Sequence, residues 1–253
     1  MLEFSEQSAF AHCPPSQNLE EFGRNFAPSY ELNFGFYGKT KELDEESWLE
    51  SAYAPKQVHQ TTILEAGPAC QGKFEDSPKA DGLWTTNTKT KLAIQTADCL
   101  PVLFYDINRP VILAVHAGWR GLVAGILESA VAVATANGSR PEHLVAMIGP
   151  AISQENYEID EAVHSVFLKH PLYQNFAQAS FMPSPFHKGT ENRYLLSLKA
   201  WAIQALHNAG IPYKQLFHSS ICTFRENKTW HSYRKKQRSC QVTSGRNWSW
   251  IST

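Results

Sequence analysis

Cys99 and His116 are the residues from which chemistry is most readily built. They lie in the run Thr96 to Gly121, where two short apolar, β-branched stretches, Leu100 to Tyr105 and Val111 to Val115, flank the turn-rich connection Asp106 to Pro110. The stretches read as neighbouring strands. Cys99 stands at the start of the first and His116 at the end of the second, so antiparallel pairing would set a thiol beside an imidazole. Both are zinc ligands, and a catalytic zinc site keeps three protein ligands with a fourth position open for water or substrate. His59 completes such a set. Ten histidines and five cysteines allow many triplets, so spacing alone leaves a second chemistry open. In that reading Cys99 is a nucleophile and His116 its base, in a hydrolase or amidase that needs neither metal nor His59.

The neighbouring residues suit a site. Pro101 favours an extended residue before it, and Gly118, two after His116, lets the backbone approach a ligand closely. A helix starting near Trp119 offers free N–H groups with Arg120 in its first turn, a setting for phosphate; a surface salt bridge is the competing use of that arginine. Asp98, adjacent to Cys99, is expected to face the other way, either orienting His116 or His59 from behind or capping a turn.

Lys56 to Leu64 alternates and reads as a strand carrying His59; Asp81 to Asn87 and Leu92 to Thr96 read as further strands. Trp119 to Ala136 predicts one helix ending at Asn137-Gly138, with Gly121 and Gly125 used for close packing against a sheet. His143 to Ile148 and Gln215 to Ile221 predict strands, Leu198 to Asn208 a helix closed by Gly210, and Trp248 to Ile251 a packed strand. Asp44 to Ala52 is compatible with a short helix, and residues 1–30 are punctuated by Pro14, Pro15, Gly23 and Pro28. Strands outnumber helices and follow one another directly, which places the chain in the α+β class with a single-domain mixed β-sheet core.

At 253 residues and 43% hydrophobic content the chain can bury a full core without a second domain. Basic and acidic residues nearly cancel, at 23 against 24, and the short cluster Arg234, Lys235, Lys236 and Arg238 reads as a solvated turn, so no nucleic-acid partner is expected. No apolar run is long enough to cross a bilayer. Five cysteines with no CxxC pair argue against a disulfide framework, and the cytoplasm is the expected compartment.

Several motifs together resemble the bacterial laccase-domain family: Lys56-Gln57-Val58-His59, Asp81-Gly82-Leu83, Thr96-Ala97-Asp98-Cys99-Leu100-Pro101-Val102, His116-Ala117-Gly118-Trp119-Arg120-Gly121, Ile148-Gly149-Pro150-Ala151-Ile152, Cys222-Thr223 and Ser232-Tyr233-Arg234. That family was first labelled multicopper polyphenol oxidase and is now described as purine nucleoside phosphorylase with adenosine deaminase activity. The resemblance implies a layered α/β/β/α fold and a zinc site at His59, Cys99 and His116. It also implies phosphorolysis of adenosine, inosine, guanosine or methylthioadenosine, with deamination of adenosine. Asn33, Gln57, Arg120, Tyr233 and Arg234 fall in family motifs and are expected near a substrate pocket. Two segments depart from the pattern: Gly38 is followed by Lys39, and Ser153 to Tyr157 replaces a cysteine-bearing stretch. The older family name would imply copper, but no H-x-H pair is present. A peptidoglycan-editing label carried by some members would imply a cell-wall ligand instead.

Overall fold

The computed structural model describes residues 28, 30–39, 51–72, 74–171, 174, 180–185, 192–239 and 245–253. Among these, thirteen strands build three sheets. The largest sheet has six strands, in the order β12 (Leu216–His218), β8 (Leu144–Ile148), β6 (Leu100–Asp106), β7 (Ile112–Ala117), β4 (Gly82–Thr85) and β3 (Ile63–Glu65). Its two edge pairs are parallel and its interior antiparallel. A second sheet is ordered β1 (Asn33–Tyr37), β13 (Asn247–Ser252), β5 (Lys91–Thr96) and β2 (Ala52–Tyr53), and a third β10 (Phe181–Pro183), β11 (Arg193–Leu196) and β9 (Glu158–Asp160). The helices are α1 (Trp119–Val123), α2 (Ile126–Ala136), α3 (Glu161–Leu168), α4 (Leu198–Asn208) and α5 (Tyr233–Ser239). None is long and apolar enough to cross a membrane.

The apolar runs of β6 and β7 are unbroken because both faces of these central strands are covered. Leu100, Val102 and Phe104, with Val111, Leu113, Val115 and Ala117, pack beneath α2 and α4 through Leu127, Ala130, Trp201 and Leu206. The alternate residues Leu103, Tyr105, Ile112 and Ala114 turn to the second sheet and meet Leu92, Ile94, Phe36 and Ile251. On that sheet's outer face Ala93 and Trp248 pack with Phe74 from a short 3-10 turn. The expected mixed-sheet, α+β architecture in layers is therefore present. Trp248 to Ile251 is a packed strand as expected, and α4 runs over the expected residues, started by Ser197 Oγ accepting from Ala200 N.

Three expectations are corrected. Lys56 to Leu64 is not a continuous strand: Lys56 makes a single bridge to Lys79, His59 is left-handed with φ 61°, and pairing begins at Ile63. The expected helix Trp119 to Ala136 breaks at Ala124-Gly125, where Gly125 adopts φ 88°, a conformation glycine takes without penalty. Gly121 does pack closely, since a Cβ there would lie 3.2 Å from the Gln60 carbonyl oxygen, whereas Gly125 serves the backbone turn. The Arg234 cluster is helical as α5 rather than a turn. Of the expected helix Asp44 to Ala52, residues 44–50 lie outside the described residues and Ala52 belongs to β2, while nearly all of the irregular start, residues 1–30, also falls outside them.

Candidate metal centre

β6 and β7 pair antiparallel with Leu100 opposite Ala117 and Pro101 opposite His116. Cys99 and His116 share the parity of Leu103 and Ala114, so both belong to the face between the two large sheets. The third ligand comes from the loop that begins at Lys56. One donor atom each from His59, Cys99 and His116 lies within 4.8 Å of the others, and the three grade from exposed through half-buried to buried. The two imidazoles meet edge to face, 4.8 Å between centroids.

Asp81 holds this arrangement. It heads β4 with no exposed surface. Oδ1 accepts from His59 N at 2.8 Å and faces His116 Nδ1 at 2.9 Å; Oδ2 accepts from Gln60 N at 2.7 Å and Val58 N at 3.2 Å. Three successive N–H groups converge on one carboxylate only because His59 is left-handed, which is why the loop leaves the β conformation. Bonding at Nδ1 turns His116 Nε2 toward Cys99. Burial opposes the ionised form of Asp81, but the His116 and backbone hydrogen bonds outweigh it and hold the carboxyl below its usual range. Burial likewise opposes a Cys99 thiolate, yet the His116 charge and hydrogen bonds from His116 and His59 bring the thiol down. His116 is raised in turn, against burial, by Cys99 and Asp81.

Gly118 closes the wall. A Cβ there would sit 3.1 Å from both Cys99 Sγ and His59 Cδ2, so the close approach expected of this glycine is to the three ligands themselves. A thiol poised to ionise, an imidazole held with its proton at Nδ1 and an exposed second imidazole fit a thiolate- and imidazole-binding ion such as zinc.

Of the two roles expected of Asp98, the turn is the one found and the orienting of a histidine is not. Asp98 occupies a turn with φ 88° and accepts from Thr223 Oγ1 at 2.7 Å and Arg234 N at 2.6 Å, so it ties the late Cys222-Thr223 segment and α5 to the ligand turn. Tyr157, inside the segment that departs from the family pattern, feels the charges of Cys99, Arg234, Asp98 and Arg120. Burial first, then the Cys99 charge, keeps its phenol protonated. Arg234 lies 5.0 Å over its ring and donates to the Glu158 carbonyl at 2.7 Å, while Arg120 is exposed over Trp119 at 4.4 Å.

The remaining expected site residues are placed differently. Gln57 spends its amide on β5, with Nε2 donating to Gln95 O and Oε1 accepting from Gln95 N, both at 2.7 Å, so it seats the His59 loop on the sheet edge. Tyr233 is 53% exposed and its hydroxyl accepts from Gln237 on α5. Asn33 pairs with Ser252, which pairs with Lys91, five residues and roughly 16 Å along β5 from the ligand end. The structure thus joins His59, Cys99 and His116, stacks Arg234 on Tyr157, leaves Arg120 exposed over Trp119, and does not bring Asn33 to them. Sequence reasoning passed over Asp81 and Tyr157 as functional residues. The only local signal for Asp81 is an acid placed at the head of an apolar strand.

Solved structures share this arrangement of elements. The chain superposes on the Bacillus licheniformis hypothetical protein YfiH with TM-score 0.71 at 33% identity, covering 81% of this chain and 74% of that one. It superposes on YlmD from Geobacillus stearothermophilus with TM-score 0.69 at 27% identity, covering 82% and 77%. In sequence it is 35% identical over 204 residues to the Escherichia coli (strain K12) protein named purine nucleoside phosphorylase YfiH, 81% of this chain and 72% of that protein. Residues 40–253 match the family described as multi-copper polyphenol oxidoreductase laccase, and the chain belongs to that family.

Proposed function

We propose that this protein is a zinc-dependent purine nucleoside phosphorylase with His59, Cys99 and His116 as the metal ligands. The observation that carries the reading is the three-residue cluster fixed by Asp81, with Arg234 stacked on a Tyr157 that feels the charges of Cys99 and Arg120. Relatives bearing the phosphorylase name support it. In the reaction a phosphate oxygen bonds to C1' of the nucleoside as the C1'–N9 bond breaks. The bonding pair leaves with the purine, which takes up a proton, and ribose-1-phosphate is released. Arg120 and Arg234 draw and orient the phosphate, and Tyr157 offers an O–H to the accumulating negative charge. His59, Cys99 and His116 would hold the zinc, which when bound would supply a fixed positive charge and Lewis acidity.

Adenosine, inosine, guanosine and methylthioadenosine are the proposed substrates, with adenosine deamination as a second activity. Deamination requires a free acid/base, and the carboxylates nearest the ligands are engaged, Asp81 by four donors and Asp98 by two. Phosphorolysis is therefore the principal reading. Copper suits this set less well, because its oxidase clusters need more imidazoles. The free thiols of Cys70, Cys99 and Cys222 fit a reducing compartment, and we place the protein in the cytoplasm.

The test is chromatographic. Metal-quantified protein is incubated with inosine and with adenosine, with and without phosphate. Phosphate-dependent release of free base and ribose-1-phosphate is expected, and Cys99→Ala and His59→Ala should both abolish it. Turnover that survives His59→Ala but not Cys99→Ala would favour the cysteine hydrolase, and zinc-loaded protein without phosphate-dependent turnover refutes the proposal.

A further inference from the structure

Residues 225–246 hold seven lysines and arginines against one acid, Glu226, in a chain whose net charge is −1. The clustering is spatial as well. Lys39 at the exit of β1, Lys235 and Lys236 on α5, and Arg246 ahead of β13 line one shallow, open-mouthed cleft, with His231 and Ala97 in its wall. No carboxylate is among the described residues that line it.

The backbone beneath these cations is tied down. Lys39 N donates to the Thr229 carbonyl at 2.7 Å, and Lys39 Nζ donates to the Asn227 carbonyl at 2.5 Å. The Asn247 side chain brackets His231, accepting from its N–H at 2.8 Å and donating to its carbonyl at 2.9 Å. His231 is pushed down by burial and then by the charges of Lys39 and Arg246. Four like charges on an anchored frame repel one another, and an anion relieves that repulsion.

We propose that this pocket binds a small ligand through two or more adjacent phosphoryl groups, as in a nucleoside di- or triphosphate or pyrophosphate. One phosphate dianion brings two negative charges to a cleft lined by four cationic side chains, whereas linked phosphoryl groups bring more charge and span more of them. A concave site suits the end of a small ligand; a nucleic-acid backbone is gripped by contacts tracked along a surface. The pocket is separate from the cradle assigned to Arg120 and Arg234, neither of which lines it. It adjoins the ligand turn, because Ala97 precedes Asp98 and Tyr233 precedes Arg234, whose N–H Asp98 accepts.

The test is calorimetric titration of pyrophosphate into the full chain, with sulfate as comparator. Cys99→Ala protein is included so that pyrophosphate binding to the metal ligands is removed and the result does not depend on the proposed reaction. One pyrophosphate per chain is expected, bound about tenfold more tightly than sulfate and weakened by salt. Cys99→Ala should leave that affinity unchanged. Lys39→Gln/Arg246→Gln and, separately, Lys235→Gln/Lys236→Gln should each weaken it by about tenfold or more, with thermal unfolding used to confirm that they are folded. Arg140→Gln, on an exposed arginine outside the pocket, should have no effect. Equal binding of sulfate and pyrophosphate overturns the proposal, as does wild-type affinity in both double variants or loss of binding in Cys99→Ala. Tighter binding of a short single-stranded DNA than of pyrophosphate would assign the patch to nucleic acid and overturn it too.

Discussion

Replacing Asp81 with asparagine separates geometry from charge at the candidate metal centre. The carboxylate accepts four hydrogen bonds, two at each oxygen. An asparagine keeps one oxygen, so either the His59 and His116 pair or the Gln60 and Val58 pair must face an NH2 group. Two charge-assisted bonds are lost at a fully buried residue. At about 1.5–3 kcal/mol each, the folded state should lose about 3–6 kcal/mol. With the amide nitrogen turned to His116, Nδ1 must accept, and the proton moves to Nε2, removing the lone pair that faces Cys99. Zinc affinity should therefore fall by about ten- to a hundredfold. Denaturant unfolding gives the first number, competition with a chromogenic chelator the second, and imidazole nitrogen NMR the tautomer. Asp81→Asn protein within about 0.5 kcal/mol of wild type, with unchanged zinc affinity and the His116 proton still on Nδ1, would refute the reasoning.

Gly118→Ala places a Cβ 3.1 Å from Cys99 Sγ and His59 Cδ2 on a backbone with φ −75°, which alanine tolerates. Zinc affinity should drop by about tenfold while the unfolding midpoint barely moves; equal chelator competition would count against it. Gly125→Ala forces a side chain onto φ 88° and should cost about 1–2 kcal/mol in denaturant unfolding, without altering zinc affinity. His218 is lowered from 6.5 to about 4, by burial and then by Lys199. Between these values the unfolded chain binds a proton that the folded chain does not, so stability falls as pH drops from 6.5 toward 4, by up to about 3 kcal/mol. His218→Phe should flatten that limb of a pH-stability curve, and an unchanged slope would reject the assignment.

Where chemistry follows from short-range pattern, the sequence was legible. The hairpin of Leu100 to Tyr105 with Val111 to Val115 was readable from two β-branched runs around a turn, and it alone brings Cys99 beside His116. Helix Leu198 to Asn208 was readable up to its stop at Gly210, and the structure adds the Ser197 cap that starts it. The His59 loop was not. Its alternation of apolar and polar residues mimics a strand, and what overrides it is a carboxylate 22 residues further on. The break at Gly125 was hidden for a related reason: a glycine inside a helical pattern carries no mark of whether it serves packing or a turn.

The sequence by itself determined the class of fold and the hairpin that sets Cys99 beside His116, since side-chain period and turn chemistry are local properties of the chain, while the choice of His59 as the third candidate rests on the family resemblance. Tertiary structure decided what holds and surrounds them. Asp81 orients His116 and bends the His59 loop because β4 pairs with β7, Gln57 is consumed by the edge of β5, and Asn33 falls at the far end of a sheet. Arg234 stacks on Tyr157, and Asp98 binds the C-terminal segment rather than a histidine. Each of these contacts joins residues distant in sequence through register and layer packing, so no periodicity within any one segment carries it.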